Sequence, residues 1–442
     1  MKAASTDTDV LIIGAGAAGL AAAHALSRSG RHCTIVEARN RVGGRVFTGP
    51  HGIAAVPLEL GAEFIHGRSE VTFDWLRAAG DVAIDTARER WMLQRGRLRK
   101  IDDRFGELER HFRRLRAPQP DMALDEFLRR HSRTLPRSVI ELACSLVEGF
   151  DAADASKISA REVLDEWSGP AAAGGATFRP ARGYGALLQF MASTLNPACV
   201  ALRLETVVRS ITWSKGHVEI EALRLGELIR LRAQRAIVTL PLGVLQQPEG
   251  SPGFVRFAPA LDTGKRSALN LLAAGPVIKL VLTFARPFWE ELHDGRHRDA
   301  AFFFAPKAPF PTFWTFLPAR AATLVAWTAG PNAVRLNGLG EAGMVSQLLA
   351  TLRALFGRQD FAALLEHIAW HDWQGDAYAC GAYSYVLAQG ASARQGLARP
   401  LQDTLYFAGE ACDTTGEPAT VAGALRSGAQ AAQKILVLTR ER

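Results

Sequence analysis

The apolar positions change period along this chain, and the changes mark out its elements. Residues 10–13, "VLII", form a short continuous apolar run, the pattern of a strand buried on both faces. Residues 15–27 are an alanine-rich stretch suited to helix, and residues 34–36 return to a short strand. Together they predict a βαβ unit at the start of the sequence. Residues 70–137, rich in Arg, Leu and Glu, predict mainly helix, with a break at "RAPQPD" over 116–121. Further helices are predicted over 138–148 and 160–166. A Gly/Ala/Pro-rich linker, "SGPAAAGGATFRPARGYG", then precedes a helix beginning near Ala186. From 199 to 240 the pattern turns to strands, in "VALRLETVVRSITW", "HVEIEAL" and "RAIVTL". After Pro259, "GPVIKLVLTF", "AAFFFAP", "TFWTFL" and "TLVAWTAG" predict an antiparallel sheet. Helices are expected over 343–355 and 360–365. The unit "TLYFAGEACDTTGEPATVAGALRSGAQAAQKIL" reads as strand, loop and long helix.

At 442 residues the chain exceeds what one hydrophobic core serves, so two domains are expected. A formal charge of +8 raises the question of nucleic acid, but its placement answers it. Between Arg88 and Arg137 stand 15 Lys+Arg against 8 Asp+Glu, which leaves about +1 for everything else. That concentration reads as a solvated helical segment, with a docking face for an acidic partner as the alternative. No nucleic-acid partner is expected. Five cysteines, Cys33, Cys144, Cys199, Cys380 and Cys412, are scattered and never spaced CxxC, so neither a disulfide framework nor a metal site is expected. Reduced thiols and a cytoplasmic location follow. The uncharged run 10–26 lacks a basic flank beyond Lys2, and the run 269–284 is short and interrupted by Pro276 and Lys279. No membrane segment is expected.

Gly14, Gly16 and Gly19, with Ala18 in the same turn, fit G-x-G-x-x-G between a strand and a helix. The first glycine permits the tight turn, the second lets the backbone approach a pyrophosphate, and the third allows close packing of helix on sheet. The helix N-terminus then offers free N–H groups to phosphate. Glu37 lies 18 residues beyond Gly19, at the tip of the second strand, where an acid accepts hydrogen bonds from ribose hydroxyls. An acid there favours FAD or NAD over NADP. Gly43 and Gly44 followed by Arg45 supply a second phosphate-contacting turn, which a simple NAD domain does not need, and so favour FAD.

The run Glu37-Ala38-Arg39 through Gly43-Gly44-Arg45 resembles the signature of the flavin-dependent amine oxidases, a family that includes monoamine oxidases, polyamine oxidases and lysine-specific histone demethylases. The resemblance recurs in "ELGAEFIHG", "EGFDAADASKIS", "GYGALLQFMA", "IVTLPLGVL", "GAYSYV" and "LYFAGEACDTTGEPATVAGALRSG". It implies an α/β fold: a discontinuous Rossmann-like FAD-binding domain (1–69, 195–250 and 386–442) plus an α+β substrate-binding domain (70–194 and 251–385) with antiparallel sheet and helices. It also implies that Gly61, Ala62 and Glu63 pass beside the flavin ring, that Val208 contacts adenine through its backbone, and that Gly409, Glu410, Thr420 and Val421 contact the ribityl–pyrophosphate portion and ring edge.

The resemblance assigns catalytic roles as well. A lysine inside an apolar strand is unusual, and from physics alone Lys279 is equally an edge-strand lysine reaching water. The matching lysine in the family meets flavin N5 through a water, and that role is assigned to Lys279. Tyr383 matches the family's aromatic residue flanking the substrate nitrogen, where a ring face attracts an amine. His66 matches a histidine near the substrate, Glu63 is a weaker candidate for attracting a cation, and Thr420 stands where monoamine oxidases carry a second cage tyrosine. The monoamine oxidase attachment cysteine falls at Ala382, with Cys380 two residues earlier on an expected strand, so noncovalent FAD is expected. The expected activity is oxidation of a primary or secondary amine, a polyamine among the candidates, with oxygen as acceptor and hydrogen peroxide as product. A homodimer is left open. An L-amino-acid oxidase is the alternative, needing an arginine clamp for the carboxylate; a carotenoid-type desaturase or protoporphyrinogen oxidase stands behind it, and a flavin-retaining protein without turnover is the non-enzymatic reading. With no SWIRM-like extension or long coiled-coil insertion, histone demethylation is not expected.

Overall fold

Two sheets carry the architecture. The computed structural model describes residues 7–49, 54–102, 105–168, 176–357 and 360–440. The expected βαβ unit is the strand Thr8–Ile13, the helix Ala17–Arg28 and the strand Cys33–Val36, paired in parallel with Ile12 opposite Ile35. These strands are buried almost throughout, which explains their continuous apolar runs. On its other side Thr8–Ile13 pairs in parallel with the far end of Glu227–Val238, and Leu405–Phe407 adds a further parallel strand. The near end of Glu227–Val238 instead joins an antiparallel meander with His217–Arg224 and Thr206–Ser214. One long strand therefore serves both halves of an eight-stranded sheet. Its last member, Arg256–Ala258, lies beyond the boundary drawn from the sequence at 250.

The helix Val421–Arg440 lies on Ala17–Arg28, and a Cβ added at Gly428 would stand 2.0 Å from the Ala18 carbonyl oxygen. Only glycine allows that approach.

The second sheet has seven strands, in the order Leu365–Trp370, Val277–Phe284, Thr323–Ala329, Thr312–Thr315, Phe302–Phe304, Arg90–Gln94 and Arg97–Ile101. A Phe-rich core fills the space between it and the helices Gly330–Asn337 and Gly340–Phe356. Val277–Phe284 is second in that order, with Thr323–Ala329 antiparallel along nearly its whole length, Leu365–Trp370 antiparallel beside Leu280–Phe284 only, and all eight of its residues buried. Lys279 lies just past the end of Leu365–Trp370 but is 2% exposed, so it does not reach water as an edge-strand lysine would.

The expectation of helix across 70–137 is corrected by the hairpin Arg90–Gln94/Arg97–Ile101. Helices flank it, at Glu70–Ala78, Phe105–Phe112 and Leu124–Arg130. Arg95 and Gly96 both have positive φ, 50° and 74°, as a two-residue hairpin turn requires. Arg97–Ile101 is the sheet's edge, and its exposed Arg97, Arg99 and Lys100 discourage pairing with another chain. Elsewhere in the basic stretch, Arg113, Arg129 and Arg130 pair with Glu109, Asp125 and Glu126 one helical turn earlier. Such exposed pairs contribute about 0.2–0.5 kcal/mol each, as a solvated face does. Residues 169–175 of the Gly/Ala/Pro-rich linker lie outside the described residues; the rest is not all linker, since Thr177–Pro180 is a strand and the helix Gly183–Ser193 begins before Ala186. Among the described residues no helix is long and apolar enough to cross a membrane.

Candidate active site

The glycine turn forms as its spacing requires. A Cβ at Gly19 would sit 2.0 Å from the Gly14 carbonyl oxygen, so the helix can rest on the strand only through glycine. Gly16 bridges to Gly43, and the Gly43 N–H donates to Ala15 O at 2.9 Å, which stacks the second glycine turn against the first. Gly43 and Gly44 have φ of 113° and 59°. Arg41 pins this turn by donating to Val46 O and Gly44 O at 3.0 and 3.1 Å while lying over the Phe47 ring.

Glu37 is 4% exposed at the tip of Cys33–Val36. Its carboxylate accepts from the Ala15 and Arg39 N–H groups at 2.8 and 3.0 Å, which aims it at the glycine turn. Ala38 is partly buried beside it. Arg39 donates to Asp376 at 2.7 Å, and His371 contacts the same oxygen at 2.7 Å. Burial opposes ionisation of Asp376, but His371 and Arg39 outweigh it and hold the carboxyl well below the usual range. Neither His371 nor Asp376 was marked by the sequence.

Arg45 donates to Glu410 at 2.8 Å and to the Ala382 carbonyl. Glu410 takes Ser384 Oγ on its other oxygen at 2.6 Å. Burial pushes the Glu410 carboxyl up, yet Arg45 and Arg394 hold it below its ordinary value. Arg45, Leu240, Gly409 and Glu410 line a small recess. Val208 is buried next to a bulge in Thr206–Ser214. Thr420 caps the final helix: its hydroxyl accepts the Gly423 N–H at 3.0 Å and donates to Glu417 O at 2.6 Å, and Val421 is the first residue of that helix. A pair of glycine turns, an acid aimed at them and an Arg–Glu pair at a recess fit a flavin dinucleotide.

Gly61 and Ala62 run along the Arg45 backbone; a Cβ at Gly61 would meet Arg45 O at 2.0 Å. Lys279, 2% exposed, crosses to this segment and donates to Gly61 O at 3.1 Å and to Glu63 at 2.6 Å. Glu63, expected to face a substrate cation, is turned inward instead. It also accepts Arg179 Nε at 2.7 Å and Trp314 Nε1 at 3.0 Å. Burial pushes its carboxyl up, but Lys279 and Arg179 outweigh that and hold it low. Arg179 and Trp314 lie far from Glu63 in sequence and carried no motif.

Tyr383 donates its hydroxyl to the Phe150 carbonyl, and the Phe150 ring meets His66 edge-on at 5.4 Å. His66 is accessible to solvent yet surrounded by protein, as a side chain lining a recess is, and that enclosure pushes its pKa down to about 4. Enclosure also raises the Tyr383 phenol, and the charges of Asp151 and Glu166 add to the effect. Asp151 Oδ2 is buried with no hydrogen-bond partner among the described residues. Cys380 is not on a strand: with φ of 52° it sits in a turn, its thiol facing Asp376 O and Ala377 O at 3.5 Å.

This fold and site are those of a flavin-dinucleotide-binding oxidoreductase. Residues 17–436 match the model of the flavin-containing amine oxidoreductases, and the chain belongs to that family. It is 28% identical to lysine-specific histone demethylase 2 of Homo sapiens, over 96% of this chain and 53% of that protein. It is 26% identical to polyamine oxidase 4 of Oryza sativa subsp. japonica, over 96% of this chain and 88% of that one. The chain spans about half the length of the demethylase it matches. Among solved structures, putrescine oxidase bound to putrescine superposes with a TM-score of 0.81 at 21% identity, covering 97% of this chain and 99% of that one. Cyclohexylamine oxidase from Brevibacterium oxydans gives 0.79 at 20%, covering 99% and 100%.

Proposed function

We propose that this chain is an amine oxidase holding FAD noncovalently and acting on a small cationic amine, with a diamine or polyamine as the preferred class. When bound, FAD supplies two-electron acceptance: a hydride leaves the carbon next to the amine nitrogen, the resulting imine is hydrolysed to a carbonyl compound, and oxygen takes the electrons to give hydrogen peroxide. Gly14, Gly16 and Gly43 would lie along its pyrophosphate, Glu37 at the adenosine ribose, and Arg45 with Glu410 along the linking chain. Noncovalent attachment is supported by alanine at position 382 and by the inward turn of the Cys380 thiol. A cytoplasmic location is supported by five cysteines that form no disulfide.

The sign of charge around Tyr383 carries the amine reading. The charged groups acting on its phenol are the acids Asp151 and Glu166. Burial and Glu166 push Asp151 well up, and burial pushes Glu166 up to about 7. An ammonium entering there would draw both toward the carboxylate form, whereas an amino-acid carboxylate would push both further toward the neutral acid and gain no counter-ion. Arg394, whose charge acts on Glu166, is committed to Ser384 through bonds of 2.7 and 3.1 Å. Tyr383 and Phe150 add ring faces for the cation.

The test is anaerobic stopped-flow mixing of the flavin-loaded protein with diamines, polyamines, monoamines, L-amino acids and a methyl-lysine peptide. Rapid bleaching by diamines or polyamines, with peroxide on admitting air, is the expected result. Bleaching by amino acids alone would overturn it.

A further inference from the structure

The lysine expected to work at the flavin does not stand alone. An ammonium has three N–H donors. The protein uses two, on Gly61 O at 3.1 Å and on Glu63 Oε2 at 2.6 Å. Among the described residues no protein acceptor takes the third. One carboxylate oxygen, with one backbone carbonyl, therefore decides which way this ammonium points.

Glu63 is itself held without slack. Its other oxygen, Oε1, receives Arg179 Nε at 2.7 Å and Trp314 Nε1 at 3.0 Å. Arg179 is fixed in turn: Nη2 donates to Thr315 O at 3.1 Å, and the guanidinium lies 4.5 Å from the Phe64 ring centre. The Lys279 ammonium is 5.7 Å from the Trp314 ring centre. Glu63, Lys279, Arg179 and Trp314 are all buried, so each link between them is strong when made and costly when broken. A lysine needed only for packing would require no buried anion of its own.

We infer that Glu63, fixed by Arg179 and Trp314, is a positioning residue that holds the Lys279 ammonium in one orientation, leaving its third N–H for the group bound in the site. The inference rests on the proposed function for the role of Lys279, and not for the identity of the substrate. Without the carboxylate, two buried cations face each other with nothing between them, and Lys279 swings away.

The experiment compares wild type, Lys279→Met, Glu63→Gln and the double variant as FAD-loaded full chains. Each is reduced with dithionite and mixed with oxygenated buffer, and each is separately reduced by the best amine. Whichever half-reaction Lys279→Met slows, Glu63→Gln should slow too, by on the order of 10²-fold, since small misplacements cost that much. The double variant should be no slower than Lys279→Met alone. A purely structural Glu63 would instead multiply its loss onto that of Lys279→Met. Thermal melting gives a readout independent of turnover: the midpoint losses of the two single variants should fail to add. Should Glu63→Gln not fold, Trp314→Phe removes only one donor to Oε1, and its smaller loss should vanish in the Lys279→Met background. Unchanged rates in Glu63→Gln or Trp314→Phe, multiplied losses, additive midpoints, or a Lys279→Met variant slow in neither half-reaction would each overturn the inference. If no amine reduces the wild type, the proposed substrate class fails while the dithionite arm still reads.

Discussion

Replacing Glu59 by glutamine should make the protein more stable at neutral pH, and the gain should grow with pH. Glu59 is 3% exposed and caps the helix Gly183–Ser193: it accepts the Tyr184 N–H at 2.7 Å and the Thr48 hydroxyl at 3.0 Å. Burial nevertheless pushes its pKa up to about 7, against the opposing pull of Lys279, Thr48 and Tyr184. An unfolded glutamate titrates near 4.3. The folded state thus holds the proton more tightly than the unfolded state does. The stability that this proton contributes is fully present below about pH 4.3 and is lost as pH rises through about 7. Each pKa unit is worth about 1.36 kcal/mol, so the loss is roughly 3–4 kcal/mol, a large part of an ordinary folding free energy. Glutamine has no proton to lose there. The assay is urea unfolding of both proteins at closely spaced pH values from about 4 to 8, plotted as the difference between them so that all other titrations cancel. The expected curve climbs by about 3 kcal/mol and flattens above pH 7. A constant offset across the whole range would refute the reasoning, because it would mean that Glu59 folds as a carboxylate.

Three further outcomes follow from the geometry. Gly19→Ala places a Cβ 2.0 Å from Gly14 O, so it should abolish flavin retention; full occupancy at the wild-type melting midpoint would contradict the packing. Asp151→Asn should raise KM for a diamine by about 10-fold or more while moving kcat less, the loss expected of one charged hydrogen bond; steady-state peroxide assays would measure it, and an unchanged KM would remove Asp151 from the amine site. His66, pushed down to about 4, is neutral through physiological pH, so His66→Gln should leave the shape of the kcat/KM profile between about pH 5 and 9 unchanged. Loss of an ionisation near 6.5 in that variant would show that His66 titrates in the working range.

What the sequence made legible was local. The glycine turn, Glu37 and the turn at Gly43 act through neighbours close along the chain or through backbone conformation, so spacing alone conveys them. Lys279 was conspicuous because a charge interrupts an apolar strand. Its burial was not, because the groups that meet it, Gly61, Glu63 and Trp314, lie far away along the chain. The hairpin around Arg95-Gly96 was hidden by arginines that suit a solvated helix equally well; the signal available was the two-residue turn between Trp91 and Leu93 on one side and Leu98 on the other. The inward turn of Glu63 was illegible in principle, since Arg179 and Trp314 reach it from more than a hundred residues away.

The packing of Val421–Arg440 on Ala17–Arg28 also sets a timetable for synthesis. The first helix of the dinucleotide site leaves the ribosome about 400 residues before the helix that covers it. At about 5–20 residues per second that interval lasts roughly 20–80 seconds. Throughout it the part of the first helix that Val421–Arg440 will cover stays open, and the strand Leu405–Phe407 is missing from the sheet edge it will occupy. A cell making this protein must keep that half-built surface from other chains, and FAD can be gripped from all sides only after translation has passed the final helix.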